Sequence, residues 1–298
     1  MRVLLALLLL LPTAMAAEGP GVVVLVHHPD DGIDPLGVPF AGSDPFVARH
    51  GHLDRFRGGI DYPGFVVDGR VPFDGLPESD EPLEATFGVY NAAVTMRQGV
   101  ETPVALTVAV QDDVAQVNIT PAELGVGVRL WSALVEDPVH YEPPTGLTNG
   151  VFDHPFTTRS ITDRGPLEAW DVAWNLTVDP AWDRDQLLLA VWLQQDARDD
   201  RFKPHEVVQA TMHPLDQAEP TVQTARGVLV EAYSATWCDP CLIGDRAIEQ
   251  LASEHGLQPA RVEPEQEGYF QAPAPWIVVL AAGGFALLAL VRLPGSRP

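Results

Sequence analysis

The feature that most constrains this chain is a Cys-x-x-Cys motif near its end. Residues 227–233 are apolar apart from Glu231 and predict a buried strand. Residues 242–255 carry apolar side chains at helical spacing, and Gly256 ends that pattern. Cys238 and Cys241 therefore lie where a strand leads into the N-terminus of a helix. The free N–H groups of a first helical turn favour a thiolate on Cys238, and Cys241 is spaced to close a disulfide with it.

One strand and one helix cannot bury a core alone, so the rest of this domain must come from elsewhere. The N-terminal segment offers the missing elements. Residues 21–27 predict a strand buried on both faces, and residues 44–57 predict a short helix. Pro63 then precedes a predicted strand that ends in an Asp68-Gly69 hairpin turn, and a predicted helix follows from residue 81 to about residue 98.

The segment Trp237-Cys238-Asp239-Pro240-Cys241, directly after a hydrophobic strand, resembles the active-site motif of the thioredoxin-like superfamily. The N-terminal order of strand, helix, proline, hairpin and helix is similar to what that fold has after its cysteine helix. The resemblance makes Pro63 the counterpart of the family's cis-proline, which packs against the active-site cysteines. It implies an α/β thioredoxin-like domain that is circularly permuted, with residues 226–257 as its first strand and cysteine helix and residues 18–99 as its second part. Two unrelated fragments are the alternative interpretation.

The motif departs from thioredoxin itself at two places. Asp239 stands where glycine is usual, and its charge opposes a lowered pKa of Cys238, although its side chain could also cap the helix. The family's buried acid lies six residues before the first cysteine, where this chain has Ala232. Because Glu231 lies seven residues before Cys238, the resemblance does not carry that acid's role over to it.

Residues 100–215 predict an immunoglobulin-like β-sandwich. Seven apolar segments alternate with turns rich in proline, glycine and aspartate, and no cysteine lies among them. The tryptophans of this region are predicted to be packing residues and not a ligand-binding set: Trp131, Trp170, Trp174, Trp182 and Trp192.

This pairing of domains is similar to that of Omp28-like outer-membrane-related proteins, which combine a thioredoxin-like domain with a β-sandwich. The resemblance depends on short segments: Val26-His27-His28, Asp44-Pro45-Phe46, residues 62–69, Leu134-Val135-Glu136-Asp137 and Phe152-Asp153-His154-Pro155-Phe156. It covers most of the chain in permuted order, and it bears on the fold more than on the mechanism.

The two ends of the chain predict a membrane-attached protein. Residues 1–17 have one positive charge, an apolar run and small residues at the end, which indicate a secretory signal peptide. Residues 275–293 predict a transmembrane helix, whose uncharged part is about 24 Å long, preceded by a tether at 258–274. Arg292 and Arg297 follow the span, so the C-terminus is expected in the cytoplasm and the body on the extracytoplasmic side of the cell membrane. A buried helix is the alternative at either end.

Charge and cysteine content exclude several function classes. A net charge of −23 disfavours nucleic acid as a partner, and two cysteines exclude a multi-disulfide scaffold and a four-cysteine zinc site. The sequence therefore predicts a thiol–disulfide oxidoreductase that acts on protein thiols or disulfides, or with a redox partner protein, and needs no cofactor or metal besides the Cys238–Cys241 disulfide. Cys238 would attack, Cys241 would resolve, Pro63 would shape the substrate groove and Trp237 would flank it.

Two other functions stay open on the sequence alone. One is a non-catalytic cell-surface binding or adhesion protein, in which the disulfide is structural and the β-sandwich carries recognition. The other is metal handling by the cysteines with nearby histidines, although the copper-delivering thioredoxin-like proteins have a wider cysteine spacing. His27, His28, Asp30 and Asp31 are the weaker candidates for a metal site of their own.

Overall fold

The computed structural model describes residues 17–30, 34–37, 49–51, 53, 62–120, 127–141, 152–196 and 205–257. In this part of the chain the structure is mostly β-sheet with two helices. The strands are β1 Ala17–Glu18, β2 Val22–His27, β3 Gly64–Val67, β4 Val71–Asp74, β5 Ala105–Gln111, β6 Val114–Thr120, β7 Val128–Glu136, β8 Val139–Tyr141, β9 Phe152–His154, β10 Thr157–Pro166, β11 Asp171–Asn175, β12 Leu187–Gln195, β13 Val207–Pro214, β14 Thr221–Gln223 and β15 Val228–Tyr233. The helices are α1 Pro82–Gln98 and α2 Cys241–Glu254.

The strand before the cysteines joins the N-terminal strands in one sheet, as the sequence predicts. This sheet has eight strands in the order β13-β12-β7-β10-β2-β15-β3-β4. β15 pairs in parallel with β2 and antiparallel with β3. The β3–β4 hairpin turns at Asp68 and Gly69, whose φ angles of 49° and 65° are both left-handed, as a type I′ turn requires.

Helices α1 and α2 pack against each other and against the part of the sheet around β2, β15 and β3. Apolar side chains of α2, among them Ile248 and Leu251, share a fully buried core with Val24 of β2 and Val230 of β15. Gly256, with a φ of 89°, follows the end of α2, in the left-handed conformation that glycine adopts at little cost. The observed helix bounds lie within one residue of those predicted for 81–98 and 242–255.

The second sheet has five strands in the order β1-β14-β5-β6-β11. Its inner side chains, among them Leu106 and Val117, pack on Leu189 and Val191 of β12, so two sheets form a sandwich with an apolar core. Most sandwich strands lie in the predicted region 100–215, but β1 and β14 of the second sheet lie outside it. Trp192 is completely buried, as expected of a packing residue, and Trp131, Trp174 and Trp182 are partly buried, whereas Trp170 is 39% exposed.

The sandwich and the cysteine-bearing strand belong to one continuous sheet. β10 pairs in parallel with β2 at Thr157 and Val26, and Val26 donates its N–H to the carbonyl of Phe156 at 2.8 Å. All described residues belong to one compact unit, Met1–Ala260. The pairing of β10 with β2 places the β9–β10 turn beside the carboxyl ends of β2 and β15.

Several predicted segments lie outside the described residues. They are the signal peptide up to residue 16, most of the predicted helix at 44–57, the tether at 258–274 and the anchor at 275–293. Within the described residues, no helix has the length and apolarity that crossing a membrane demands.

Candidate functional site

The two cysteines form a disulfide, with their Cα atoms 5.3 Å apart. α2 begins at Cys241, so this sulfur belongs to the first helical turn while Cys238 precedes the helix. Cys238 keeps 7% of its surface exposed, whereas Cys241 is fully buried. An incoming group therefore meets Cys238 first. Asp239 does not cap the helix, since Pro240 occupies the N-cap without a side-chain hydrogen bond.

Pro63 lies over the first turn of α2. The Tyr62–Pro63 peptide bond is cis, as the resemblance implies. A Cβ atom built on Gly244 would come 3.1 Å from the Cβ of Pro63, so the helix and the proline ring approach as closely as a glycine permits. Gly244 is the third residue after Cys241, and the structure therefore brings Pro63 to the cysteine end of the helix.

An aromatic surface lies beside the disulfide. The Tyr62 ring stands 4.7 Å from that of Tyr233 and 5.0 Å from that of Trp237. Tyr62 also packs against the buried cluster of Ala235 and the two cysteines. Trp237 is 49% exposed, an unusual exposure for so large an apolar side chain. Sequence reasoning named Trp237 but missed Tyr62, whose only signal was its position directly before Pro63.

Buried polar groups hold the segment that leads to Cys238. Asp34 accepts the backbone N–H of Thr236 at 2.8 Å and that of Leu36 at 2.9 Å, and the Nδ1 of His28 hydrogen-bonds to it at 3.0 Å. Burial raises the pKa of Asp34, but the hydrogen bond and charge of His28 and the two N–H groups outweigh it and hold the pKa below its ordinary value. Asp34 is therefore a carboxylate at neutral pH.

A second carboxylate is tied to the same segment from the helix side. Asp245, in the second turn of α2, accepts a hydrogen bond from the hydroxyl of Ser234 at 3.0 Å. The Nδ1 of His154, from β9, lies 3.8 Å from the same carboxylate oxygen. The rings of His154 and His28 meet edge to face with centroids 5.2 Å apart. These four side chains, His28, Asp34, His154 and Asp245, are all at least nine-tenths buried, and we call them the histidine–carboxylate cluster.

Sequence reasoning did not identify this cluster. Only His28 had a signal in the sequence. It directly follows β2, and the carboxyl end of β2 meets that of the parallel strand β15, which leads to the cysteines. Asp34 lies in a loop rich in glycine and proline, and Asp245 occurs in a helix with several other charged residues. Neither stands out from its local sequence.

Glu231 belongs to a different set of buried contacts. Its carboxylate lies 3.0 Å from Arg49 Nη1, 2.7 Å from His50 Nε2 and 3.3 Å from His27 Nε2. Burial raises the pKa of Glu231, but the charges of Arg49 and His50 and the histidine hydrogen bonds overcome it and hold the pKa well below its usual value. Glu231 is thus fixed as the partner of a buried cation.

The histidines that the sequence offered as metal ligands have carboxylate partners instead. His27 contacts Glu231 and His28 contacts Asp34. The described part of the chain contains no group of three or more histidine, cysteine, aspartate or glutamate side chains arranged to hold a metal ion. Asp31 lies outside that part.

Comparisons with known proteins give little beyond this geometry. No protein-family model matches the chain, and no curated protein matches it. Among solved structures, HBP35 of Porphyromonas gingivalis is similar at 15% sequence identity with a TM-score of 0.42. The similarity covers 59% of this chain and 58% of HBP35, so the chain spans less than two thirds of that protein.

Proposed function

We propose that this protein is a thioredoxin-like thiol–disulfide oxidoreductase that acts on protein thiols or disulfides through Cys238 and Cys241. The observation that carries the proposal is the unequal exposure of the two cysteines: Cys238 keeps 7% of its surface exposed, whereas Cys241 is fully buried in the first turn of α2. Such a pair gives an attacking group that a substrate can reach and a resolving group that it cannot.

The strand order supports the thioredoxin-like assignment. A permuted domain of this kind needs the cysteine strand between a parallel neighbour and an antiparallel hairpin, with a helix after the hairpin. β15 lies between β2 and β3, β3 pairs with β4, and α1 follows β4. The position of Pro63 over the first turn of α2 supports the same assignment. We assign the sandwich to the immunoglobulin-like class because its two packed layers consist mostly of antiparallel strands.

The reaction proceeds by two exchanges. A substrate thiolate attacks the Sγ of Cys238, a new S–S bond forms, and the Cys238–Cys241 bond breaks with its electron pair on Cys241. A second substrate thiolate then displaces Cys238, so the substrate is oxidised and the protein is reduced. Run in reverse, Cys238 attacks a substrate disulfide and Cys241 releases the product. Trp237 and Tyr62 flank the reacting sulfur and offer an apolar surface to a peptide segment beside a substrate cysteine.

The site of action follows from the ends of the sequence. A signal peptide at 1–17 and an anchor at 275–293 would hold the body on the extracytoplasmic side of the cell membrane, where disulfides persist. The tether at 258–274 would separate the catalytic body from the bilayer.

The test is disulfide exchange with the full chain and a peptide dithiol. We expect Cys238→Ser to abolish exchange. We expect Cys241→Ser, mixed with the disulfide form of the same peptide, to trap a mixed disulfide between Cys238 and one peptide cysteine while the other leaves as a thiolate; mass spectrometry detects the adduct. Unchanged exchange in Cys238→Ser would contradict the mechanism.

A second candidate function is a surface binding protein with a structural disulfide. The low exposure of both cysteines and the large sandwich favour it. The reduction potential of the pair separates the two functions. A value between roughly −120 and −270 mV lies in the range of working oxidoreductases, and a value below about −300 mV indicates a structural bond.

A further inference from the structure

The burial of Cys241 creates a proton-transfer problem that the proposed function does not itself solve. When the disulfide opens, Cys241 leaves as a thiolate in a site with no exposed surface. Burial disfavours that charge, so the sulfur must gain a proton, and it must lose it again before it can attack. Because Cys241 has no exposed surface beside its disulfide, a buried protein group next to it is suited to supply and take back that proton.

Asp245 is placed to be that group. It lies four residues after Cys241 on α2, and residues at this spacing share one helix face with Cβ atoms about 5–6 Å apart. Both are buried, Asp245 with 6% of its surface exposed, so they face the same interior. The intervening turn carries Gly244, whose lack of a side chain lets Pro63 close over this end of the helix.

The surroundings of Asp245 supply further proton-exchanging groups. Ser234, after β15, donates its hydroxyl to the carboxylate at 3.0 Å, and His154 Nδ1 from β9 lies 3.8 Å away. His28 and Asp34 continue the contacts through the edge of the His154 ring. The other titratable or charged groups near Asp245 are Tyr90 of α1 and, on α2 itself, Glu249 and Arg246, with Asp137 and Asp153 beside Glu249.

We propose that Asp245 exchanges a proton with the Sγ of Cys241 in each turnover, and that His154 beside it serves as the second member of a proton-exchanging pair. The inference rests on the proposed thiol–disulfide activity. Asp245 lies on the helix, after the cysteines. The buried acid of the thioredoxin-like family lies six residues before the first cysteine, and this chain has Ala232 there, which cannot exchange protons.

The steps balance without any reagent besides the substrate. When the protein disulfide is reduced, the substrate thiolate forms a bond to Cys238, and Cys241 leaves with the electron pair of the broken S–S bond. The proton of Asp245 or His154 then passes to the Cys241 sulfur. In resolution, Cys241 returns that proton, its thiolate attacks the Sγ of Cys238 in the mixed disulfide, and the substrate leaves as a thiolate.

The experiment uses the reduced full chain and the aryl disulfide 5,5′-dithiobis(2-nitrobenzoate) in a stopped-flow spectrometer. Attack by Cys238 releases a first thionitrobenzoate, and attack by Cys241 on the mixed disulfide releases a second. The first phase therefore reports the reactivity of Cys238, and the second reports Cys241 alone. Both are read from one absorbance trace.

We expect Asp245→Asn to slow the second phase on the order of 10²-fold, the usual contribution of general acid–base catalysis, and to leave the first phase within about twofold. The difference in second-phase rate between the wild-type chain and Asp245→Asn should shrink as the pH is raised from about 6 to about 9, because hydroxide then removes the proton of Cys241. A purely electrostatic role predicts the opposite, since loss of a nearby negative charge favours the Cys241 thiolate and speeds the second phase.

The matched control is Asp153→Asn. Asp153 is also an aspartate beside a histidine, His140 at 2.8 Å, but this pair is exposed and lies on the β8–β9 hairpin. We expect both phases to be unchanged in this variant. Ser234→Ala tests the same site if Asp245→Asn does not fold, because it removes the hydrogen bond and keeps the carboxylate. The second phase should then slow several-fold.

The outcomes separate this inference from the proposed function. The role of Asp245 would be overturned if Asp245→Asn and Ser234→Ala both released two equivalents of thionitrobenzoate with a second phase of normal rate. The proposed oxidoreductase activity would then still stand. Absence of a first phase in the wild-type chain would overturn the proposed function, and this inference with it.

Discussion

The Oδ2 atom of Asp34 accepts a hydrogen bond from the backbone N–H of Thr236 at 2.8 Å, although the two residues are 202 positions apart. Asp34 thereby fixes the N-terminal loop to the segment that leads into Cys238. Replacing Asp34 by asparagine removes the charge that His28 and two backbone N–H groups share. We expect Asp34→Asn to lower the free energy of unfolding by about 1–3 kcal/mol, measured by urea denaturation at neutral pH.

The control for Asp34 is Asp30→Asn, an exposed carboxylate four residues earlier. Its unfolding free energy should change by less than about 0.5 kcal/mol. The pH dependence gives the second check. Because the pKa of Asp34 is lowered on folding, its contribution is present above the unfolded value of about 3.9 and is lost as the pH falls through the folded value. Equal losses in the two variants would show that the contact to Thr236 does not stabilise the protein.

Two helical glycines should respond in opposite ways to the same substitution. A Cβ at Gly88, on α1, would meet nothing within 4 Å, whereas one at Gly244 would press on the ring carbons of Pro63 at 3.1 and 3.3 Å. Gly88→Ala should raise the free energy of unfolding by about 0.5–1 kcal/mol, because glycine is a poor helix former. Gly244→Ala should lower it by about 1 kcal/mol or more, since a rigid ring must be displaced. Thermal unfolding of the two variants measures both changes in stability. A stabilised Gly244→Ala would refute the close approach of Gly244 to Pro63.

Glu231 should be among the most sensitive positions in the molecule. Arg49, which lies over the rings of Trp131 and Trp192, depends on Glu231 for a buried countercharge. Removing one member of a buried pair leaves an uncompensated charge, so Glu231→Gln should lower the free energy of unfolding by about 3–5 kcal/mol. As the control, Asp113→Asn breaks the exposed Arg184–Asp113 pair and should cost about 1 kcal/mol or less.

Acid titration tests the same assignment. The pKa of Glu231 is lower folded than unfolded, so its stabilisation is complete above the ordinary glutamate value of about 4.3 and disappears as the pH falls below it. The difference between the wild-type chain and Glu231→Gln should therefore shrink in acid. A difference that stayed constant down to the acid transition would assign the loss to packing instead.

Glu249 should show the reverse dependence. Burial raises the pKa of Glu249 to about 7; Arg246 opposes this, while the nearby carboxylates of Asp245, Asp137 and Asp153 add to it. An acid whose pKa is raised on folding destabilises the protein as the pH rises from the unfolded value toward the folded one. Glu249→Gln should thus stabilise the chain at about pH 8 and have little effect near pH 4. Urea denaturation at both pH values measures this, with the exposed Glu78→Gln as the control.

The sequence predicted the elements better than their long-range contacts. Apolar periodicity located β15, α2 and most of the sandwich strands, and Asp68-Gly69 predicted its hairpin turn, because these signals are local. The junction of β10 with β2 left no such signal. It consists of one parallel bridge, Thr157 with Val26, and nothing in either segment specifies the other.

The same limit applies to the candidate site. The motif named Cys238, Cys241, Trp237 and, through the resemblance, Pro63. It could not name Asp34 or Asp245, because a buried carboxylate is recognised by partners that are distant in sequence. Asp245 sits between Gly244 and Arg246 in a helix, where a polar residue is ordinarily solvent-exposed. Only the folded chain shows that Ser234 and His154 surround it.

The position of β15 has a consequence for how the protein is made. β15 lies between β2 and β3 in the sheet, and it is the last of the described strands to be synthesised. At about 5–20 residues per second, roughly 10–40 s pass between the emergence of β2 and that of β15. During that time the edges of β2 and β3 that β15 will occupy lack their partner strand. The sheet closes, and the cysteines meet Pro63, only after β15 and α2 have been synthesised.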